Sequence, residues 1–450
     1  MASPIEPRLL KGFRDFLPAA EIVRRELIEK IEASFRSYGF VPIDTPALEY
    51  SEILLGKGGG ETEKQIYRFR DNGGRDVALR FDLTVPFARF VALHQGEIVF
   101  PFKRYHIAKV WRGENAQRGR YREFTQCDFD IVGSESPAAD FEILLMMRDA
   151  LAAAGAAVTI HLNHRGLFNR FLSALDIREK SVDVLRTVDK LAKIGGDETL
   201  RLLTELSGSG KARKVLEYVG AADRVREGGK TGAAAFDETL AVMTGLSGGA
   251  SAESERLALL RRFMIDAGAE DSVILDPAIT RGLDYYTGVV FESFLDAVPE
   301  IGSVCSGGRY DNLAGLYSGE QIAGVGSSIG IDRLIAGLES LGKIRGRPGF
   351  AEAVIVCLAR EGGGLYQALA RKFREAGINC EVFSEETPEG KLPKQYMLAE
   401  KKGARWCVIP GGEPLKDPLT LRDLSSRKNF EGLSAEDAAA LIKNNVAAPA

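Results

Sequence analysis

The sequence has few cysteines and lacks the patterns that would make them metal ligands or crosslinks. Its 450 residues include five cysteines, none of which forms a C-x-x-C pair: Cys127, Cys305, Cys357, Cys380 and Cys407. This scatter argues against a zinc site or a disulfide framework, and it is typical of a protein in a reducing compartment.

Long apolar runs and a charge excess are also missing. No segment reaches the ~18 apolar residues that a membrane-spanning helix needs, and the N-terminal stretch MASPIEPRLLKGFRDFLP has no apolar core of signal-peptide length. The 59 basic and 63 acidic residues give a formal net charge of −4. This balance excludes a globally basic nucleic-acid coat but allows a local basic surface that binds RNA. We therefore expect a cytoplasmic protein.

Chain length and local patterns divide the sequence into regions. A chain of 450 residues exceeds what one hydrophobic core usually holds, so two or three domains are expected. Residues 1–166 and 271–341 mix strand and helix patterns, whereas 167–270 show a 3.6-residue period with glycine joints, which predicts a helical insertion. A basic linker at 342–350 precedes a β-α-β-α-β pattern over 351–450. That pattern predicts a compact α/β domain with a mostly parallel sheet.

Residues 105–133, YHIAKVWRGENAQRGRYREFTQCDFDIVG, predict a long antiparallel hairpin around a charged loop at 113–119. If the hairpin is exposed to solvent, the charged residues of this segment need have no specific role. Arg112 and Gln126, however, flank apolar residues, where an exposed strand has little use for them. Guanidinium groups beside a strand-borne carboxylate suit a site that holds a polyphosphate together with a polar cation.

Three further segments suggest a pocket. ALRFDLTVPFARFVA predicts a strand with Arg80, Asp82 and Thr84 on one face and apolar residues on the other, as in a pocket wall. RGLDYYTG, at 281–288, crowds charges beside two tyrosines; the tyrosines could pack in a core, but buried charges would need partners. GVGSSIGIDRL predicts a small-residue strand that enters a helix with Arg333 in its first turn.

Two other features have simpler interpretations. The glycine-rich residues 56–60 lack the G-K-[ST] ending of a P-loop and predict a mobile loop. His161 and His164 lie in a predicted strand, where positions three apart face opposite sides, so a structural role is favoured over metal binding.

With these segments placed, the chain resembles the class II aminoacyl-tRNA synthetases, and specifically the histidyl-tRNA synthetase family. YGFVPIDTPALE, KVWRGE with RGRYREF, and GVGSSIGIDRL resemble the three class II motifs, the first of which is a dimer-interface element. RGLDYYTG and SGGRYDNL are similar to segments of the histidine-specific family. The resemblance implies an α/β fold: an antiparallel catalytic sheet with flanking helices, a helical insertion and a C-terminal α/β anticodon-binding domain.

The resemblance also implies the activity, cofactor and partners. The expected reaction is activation of L-histidine with ATP and Mg²⁺, followed by transfer to histidine tRNA by a homodimer; no metal ligand is assigned to the protein. Positioning and positive charge would drive such a reaction, so no nucleophilic triad is needed. The rival interpretation is a non-catalytic paralogue such as the regulatory subunit of ATP phosphoribosyltransferase. Such paralogues tend to lose catalytic arginines and the anticodon-binding domain.

The resemblance assigns roles to individual residues. The implied catalytic residues are Arg281, at the reacting α-phosphate and carboxylate, and Arg112, at the α-phosphate. The implied ATP-binding set is Arg112, Glu114, Arg120, Tyr121, Phe124 and Arg333. The implied histidine-binding set is Asp82, Thr84 and Gln126 at the α-amino group, Asp130 and Tyr286 at the imidazole nitrogens, and Tyr285 and Tyr310 beside them.

This sequence departs from many bacterial relatives at two places. Asp82 and Asp130 stand where those relatives carry glutamate, so pocket depth is expected to differ. Asn115, Ala116 and Gln117 replace an Arg-Pro-Gln segment in a loop expected to reach the tRNA acceptor end. We hypothesise a weaker dependence on the extra 5′ nucleotide of histidine tRNAs.

Overall fold

The structure is a computed structural model that describes residues 5–56, 60–279, 286–313, 315–386 and 391–445. Within these ranges the strands are, in chain order, β1 (Val41–Pro42), β2 (Leu48–Tyr50), β3 (Arg68–Arg70), β4 (Asp76–Leu79), β5 (Phe102–Trp111), β6 (Glu123–Val132), β7 (Val158–His164), β8 (Val273–Leu275), β9 (Val289–Leu295), β10 (Cys305–Tyr310), β11 (Gly324–Gly330), β12 (Ala353–Ile355), β13 (Cys380–Val382), β14 (Trp406–Ile409), β15 (Leu419–Asp423) and β16 (Lys428–Leu433).

The helices of the same ranges are α1 (Pro18–Ser37), α2 (Ser51–Leu55), α3 (Gly60–Gln65), α4 (Thr84–Leu93), α5 (Pro137–Ala153), α6 (Arg165–Ala174), α7 (Ser181–Val188), α8 (Leu191–Ile194), α9 (Gly196–Ser207), α10 (Ser209–Val219), α11 (Ala221–Glu227), α12 (Gly232–Leu246), α13 (Ala252–Asp266), α14 (Gly315–Ser318), α15 (Ile331–Ser340), α16 (Gly363–Glu375), α17 (Leu392–Lys401) and α18 (Ala435–Asn444). None of these helices is long and apolar enough to cross a membrane.

The chain forms two compact units, Met1–Arg14 with Glu26–Ile344, and Asp15–Arg25 with Arg345–Ala450. The first unit contains an eight-stranded sheet in the order β1-β5-β6-β11-β10-β9-β7-β8 and a three-stranded sheet in the order β2-β4-β3. The predicted hairpin is confirmed, since β5 and β6 pair antiparallel from Phe102 opposite Val132 to Trp111 opposite Glu123. Pro42 lies on the edge strand β1, where its missing N–H disturbs no ladder.

One side of the large sheet packs into an apolar core. Cys127, Phe129 and Ile131 alternate along β6 and are buried, and the Phe129 ring lies 4.9 Å from the ring of Phe35 on α1. Because successive residues of a strand point to opposite faces, the even-numbered residues of β6 lie on the other face. The sequence between β7 and β8 is helical, from α6 to α13, as its period predicted.

The prediction of a strand through residues 80–84 is wrong. The strand β4 ends at Leu79, and α4 begins at Thr84. The carboxylate of Asp82 accepts a hydrogen bond from the backbone N–H of Val85, 3.0 Å away, and thereby satisfies a donor at the start of the helix. Arg80 is buried and donates to the backbone carbonyl of Thr45, 2.5 Å away, so it supports the backbone instead of facing a pocket.

The second unit contains a five-stranded sheet in the order β13-β12-β14-β15-β16. The strands β13, β12 and β14 pair in parallel, as the β-α-β-α-β pattern of the sequence predicted. The strands β15 and β16 extend this sheet by antiparallel pairing, so the sheet is mixed instead of mostly parallel. Buried residues from α16 and α18, including Phe373 and Ile442, pack on one face, and Ala399 of α17 packs on the other.

Candidate active site

A row of polar side chains runs along one face of the eight-stranded sheet. Gln126, Asp128 and Asp130 share this face because they are two residues apart on β6. All three are buried, although isolated carboxyl groups and amides rarely leave water without partners. These residues therefore mark a specialised region of the sheet.

The strand register extends this polar face across four strands, because residues directly opposite one another share a face. The first row is Arg104 on β5, Asp130 on β6, Gly326 on β11 and Gly308 on β10. The second row is His106, Asp128, Ser328 and Ser306 on the same strands. A third pairing sets Gln126 opposite both Ala108 and Gly330.

Glycines on β10 and β11 make room for the larger side chains of this face. A Cβ atom at Gly326 would lie 1.9 Å from Oδ1 of Asp130, and one at Gly324 would lie 2.4 Å from the ring of Tyr310. A Cβ atom at Gly308 would lie 2.9 Å from the ring of Tyr286. The small-residue pattern predicted for β11 thus has a steric cause, since no larger residue fits beneath these groups.

Asp130 is held at both carboxylate oxygens. The hydroxyl group of Tyr310 donates to Oδ1 over 2.5 Å, and Nη2 of Arg104 lies 2.7 Å from Oδ2. The guanidinium group of Arg104, whose side chain is 0% exposed, also stacks over the ring of Phe87 at 3.9 Å. The hydrogen bond from Tyr310 and the ion pair with Arg104 restrain the carboxylate before any ligand arrives.

Burial and neighbouring charges perturb the acidic groups. Burial raises the pKa of Asp82, and the hydrogen bond from Val85 and the charge of Arg112 oppose this rise more than the charge of Arg104 does. Burial also raises the pKa of Asp130, where the charge of Arg104 is the main opposing effect. Burial likewise raises the pKa of Asp128 to about 7, again opposed by Arg104. Burial, reinforced by the charge of Asp130, raises the pKa of Tyr310 well above its ordinary value, so this phenol remains a neutral donor. The region suits a ligand that brings a positive charge.

Beside the buried acids, the polar face opens into a cleft. Its empty space measures about 610 Å³, including the part that is open to solvent. Its lining residues are Arg112, Glu114, Gly119, Arg120, Tyr121, Phe124, Gln126, Ser303, Val304, Ser306, Ser328, Gly330, Asp332 and Arg333. Three arginines on two segments give the cleft the donors that phosphate oxygens prefer.

Packing orients the arginine at the centre of the cleft. The guanidinium carbon of Arg112 lies 4.4 Å from the centre of the Phe81 ring and 5.0 Å from that of Phe124. Its Nε donates to the carbonyl of Phe81 over 3.1 Å. The side chain is thus held between two rings, and cation–π contact adds to the stability of this arrangement.

Other contacts join the hairpin to α15 and to the N-terminal segment. Asp332 accepts a hydrogen bond from the backbone N–H of Thr125 over 2.9 Å and forms an ion pair with Arg14. Arg14 also stacks over the ring of Tyr121, with 3.7 Å from the guanidinium carbon to the ring centre. At the opposite wall, Nη1 of Arg333 donates to the carbonyl of Ser303 over 2.6 Å. These contacts fix the cleft walls relative to the sheet.

The structure brings most of the predicted site residues to this face. The predicted ATP set, Arg112, Glu114, Arg120, Tyr121, Phe124 and Arg333, lines the cleft together with Gln126. Asp130 and Tyr310 form the buried hydrogen-bonded pair. Tyr286 packs against the cluster that contains Phe87 and Tyr310. Asp82 and Thr84 lie at the start of α4. Arg281 and Tyr285, and most of the predicted mobile loop at 56–60, lie outside the described residues.

Sequence reasoning missed Arg104, Asp128 and Ser328. Asp128 lies two residues before Asp130 on β6, but the sequence analysis assigned it no role. Arg104 lies 26 positions from Asp130 along the chain, and only the register of the hairpin brings the two together. Because β5 also carries Lys103, His106 and Lys109, no local signal in the sequence distinguished Arg104.

The two histidines of β7 have structural roles. His161 pairs with Asp276 over 2.6 Å, and His164 accepts a hydrogen bond from the backbone N–H of Gly166 at the start of α6. Within the described ranges, no three His, Cys, Asp or Glu side chains group as a metal site.

Comparison with known proteins agrees with this geometry. A family model described as histidyl-tRNA synthetase matches residues 12–334, and one described as anticodon binding domain matches residues 352–445. The histidine–tRNA ligase of Treponema denticola is 52% identical over 441 residues, which cover 96% of this chain and 97% of that protein. The histidine–tRNA ligase of Rhodopirellula baltica is 47% identical and covers 91% of each chain.

A solved structure is also similar over almost the whole chain. The crystal structure of histidyl-tRNA synthetase from Nostoc sp. PCC 7120 superposes with a TM-score of 0.82 at 31% identity. The match covers 98% of this chain and 100% of that one. It supports the class II fold with a C-terminal anticodon-binding domain.

Proposed function

The chain belongs to the histidyl-tRNA synthetase family, and we propose that the polar face of its eight-stranded sheet activates histidine with ATP. The chain is an aminoacyl-tRNA synthetase that joins histidine to histidine tRNA. In the first step the carboxylate of histidine attacks the α-phosphorus of ATP, an acyl–phosphate bond forms, and pyrophosphate leaves. In the second step a hydroxyl group of the terminal ribose attacks the acyl carbon and AMP leaves. The observation that supports this site most strongly is the continuity of the arginine-lined cleft with the buried acids on one sheet face.

ATP would occupy the arginine-lined cleft. Arg112, held between two rings, would contact the α-phosphate, and Arg333 would contact the γ-phosphate end. Arg120 would add a further phosphate contact, while Glu114 and Phe124 would hold the adenine beside Tyr121. Because these side chains lie at a partly enclosed surface, they would stabilise the charge that develops on phosphate oxygens more strongly than water does. Arg281 would act at the reacting α-phosphate and carboxylate, as the resemblance implies.

Histidine would lie beside ATP, over the glycines of β10 and β11. Its α-amino group would bind Asp82, Thr84 and Gln126, where buried carboxyl groups favour a cation. Its ring nitrogens would pair with Asp130 and Tyr286, next to Tyr285 and Tyr310. A side chain that cannot pair with these buried groups would leave them unsatisfied, which can cost a wrong amino acid ~10⁴-fold or more in reactivity.

Magnesium would enter with ATP. Mg²⁺ usually keeps several waters and takes substrate phosphates with only one or two carboxylates, so it needs no dedicated cage of protein ligands. The arginine-rich cleft, whose carboxylates Glu114 and Asp332 already pair with arginines, fits this mode. When bound, the ion would neutralise charge on the outer phosphates.

The remaining parts of the chain would serve tRNA binding and assembly. The anticodon-binding domain at 352–445 would contact the anticodon of histidine tRNA in the cytoplasm. On the three-stranded sheet, Leu48, Tyr50 and Phe69 are exposed large apolar residues, and the register sets them on one face. An exposed apolar face of this kind favours burial against another subunit, so we expect a homodimer.

Pyrophosphate exchange tests the proposed site. ATP–pyrophosphate exchange is measured with each of the twenty amino acids and without tRNA, and aminoacylation of histidine tRNA is measured separately. Exchange with histidine alone is expected. A folded protein that supports no exchange with any amino acid would contradict the proposal and favour the non-catalytic paralogue.

A further inference from the structure

The polar face contains a buried guanidinium group to which the reaction assigns no role. Arg104 is 0% exposed on β5, between the edge strand β1 and β6. Within the described residues, none of its three guanidinium nitrogens has a partner in hydrogen-bond geometry, so its contact with Asp130 is an ion pair. Burying an arginine with unused donors is unfavourable, so the position requires a specific benefit from its charge.

The surroundings of Arg104 show where that charge acts. Its Nη2 lies 2.7 Å from Oδ2 of Asp130, and its positive charge opposes the effect of burial on Asp82, Asp128 and Asp130. Stacking on Phe87 of α4 fixes the plane of the guanidinium group. Arg104 therefore presents one oriented cation to the carboxylate that the proposed function pairs with imidazole.

From this geometry we infer that Arg104 is a positioning residue for histidine selection: it holds Asp130 in place as a carboxylate that can only accept hydrogen bonds. The inference rests on the proposed function of Asp130. A neutral imidazole carries one N–H donor and one nitrogen acceptor. An ionised Asp130 pairs only with the N–H, whereas a protonated Asp130 could also donate to the acceptor nitrogen. Arg104 thereby fixes which way round the ring binds.

The other groups around Asp130 cannot replace this effect. Tyr310 donates one hydrogen bond but carries no charge, because its pKa is raised well above the ordinary value. Asp128 and Asp82 are acidic and disfavour a second negative charge. Tyr286 is a phenol that packs against the same cluster, and Gly326 of β11 has no side chain. The positive charge that stabilises the ionised form thus comes from β5.

The test compares Arg104→Met and Arg104→Lys with wild type in histidine-dependent exchange, varying histidine and ATP separately. In Arg104→Met we expect the KM for histidine to rise at least about tenfold with the KM for ATP unchanged. The acidic limb of kcat/KM for histidine should move to higher pH, because loss of the cation raises the pKa of Asp130 further. Arg104→Lys keeps the positive charge but lacks the planar guanidinium fork. In this variant the acidic limb of kcat/KM should stay near its wild-type pH, while the KM for histidine should remain raised.

A second buried arginine supplies a matched control. Arg261 on α13 also stacks over a phenylalanine, Phe236, at 5.5 Å and pairs with an aspartate, Asp237, at 3.6 Å. Arg261→Met should lower stability without a selective change in the KM for histidine. If Arg104→Met does not fold, Arg104→Lys decides the question, since it retains the buried charge. An unchanged KM for histidine in the folded Arg104 variants, or equal changes in both KM values, would overturn the inference.

A double-variant cycle separates this inference from the proposed function. In an Asp130→Asn background there is no carboxylate to hold, so Arg104→Met should add little to the KM for histidine. Full additivity would overturn the inference even if wild type activates histidine. By contrast, absence of histidine-dependent exchange in wild type would refute the proposed function itself.

Discussion

The glycine opposite Asp130 allows a sharp test of the histidine pocket. In Gly326→Ala, the new methyl group would lie 1.9 Å from Oδ1 and 2.3 Å from Cγ of Asp130. These separations are far below van der Waals contact, so the carboxylate must leave its place between Tyr310 and Arg104. The substitution therefore moves the carboxylate that is proposed to pair with the imidazole, without removing any side chain of the proposed site.

The size of the effect follows from the contacts that are lost. A hydrogen bond to a charged group contributes about 1.5–3 kcal/mol, and each 1.4 kcal/mol is a factor of ten. Displacing Asp130 from the imidazole should therefore lower kcat/KM for histidine by ~10- to 100-fold. The KM for ATP should not change, because the cleft arginines do not contact Gly326. Overpacking should also cost about 1–3 kcal/mol of unfolding free energy.

Exchange kinetics and urea denaturation measure the two effects separately. Gly96→Ala is the matched control, since a Cβ at Gly96 meets nothing within 4 Å and its φ is not positive. In an Asp130→Gly background only part of the stability cost of Gly326→Ala should disappear, because the colliding carboxylate is gone but the new methyl group would still lie 2.7 Å from the backbone oxygen of Phe129. An unchanged KM for histidine in Gly326→Ala would refute the placement of histidine over this glycine.

Three further predictions concern other parts of the chain. Arg112→Ala should lower kcat for exchange by ~10²- to 10³-fold, with little effect on the KM for histidine. Arg112→Lys should recover little of this rate, because the guanidinium fork between Phe81 and Phe124 is lost. An Arg112→Lys enzyme with the wild-type rate would contradict this role. All five cysteines are buried, and burial raises the pKa of Cys305, Cys380 and Cys407 to about 12. Iodoacetamide at pH 8 should therefore leave the mass of the native protein unchanged, whereas it should label the urea-unfolded chain. Rapid labelling of the native protein would contradict the burial of these thiols. In the second unit, burial would raise the pKa of Asp423, but hydrogen bonds from Arg405 and Ser425 lower it below its ordinary value. The ionised form of Asp423 therefore stabilises the folded state at neutral pH. This contribution is lost as the pH falls from about 4 through the lowered pKa. Asp423→Asn should therefore cost about 1–2 kcal/mol in urea at pH 7, a value limited by solvent screening of the partly exposed Arg405, and the difference should shrink at pH 3; a cost that is independent of pH would argue against the ion pair.

Local patterns in the sequence were sufficient for the elements that carry the site. Alternation over residues 105–133 predicted the hairpin of β5 and β6, and the small-residue run GVGSSIG predicted β11 entering α15. The arginines of the cleft were recognised because each belongs to a motif. In these segments the local preference and the tertiary structure agree.

Other features were not predicted, and the reason differs from one to the next. The segment RFDLT alternates as a strand would, but Asp82 bonds to the N–H of Val85 and favours the start of a helix. The strands β15 and β16 follow β14 closely along the chain and pair antiparallel in that order, but they lie beyond the β-α-β-α-β pattern on which the prediction rested. Arg104 acquires its role only when hairpin register sets it opposite Asp130, a relation that composition and periodicity do not contain.

We propose that one sheet face holds two adjacent subsites, one for ATP and one for histidine. The most direct measurement is exchange kinetics for Asp130→Asn and Arg333→Gln, with histidine and ATP varied separately in each variant. Asp130→Asn should raise the KM for histidine alone, and Arg333→Gln should raise the KM for ATP alone. If either variant raised the opposite KM, or if both variants raised both values equally, the division of this face into two subsites would be wrong.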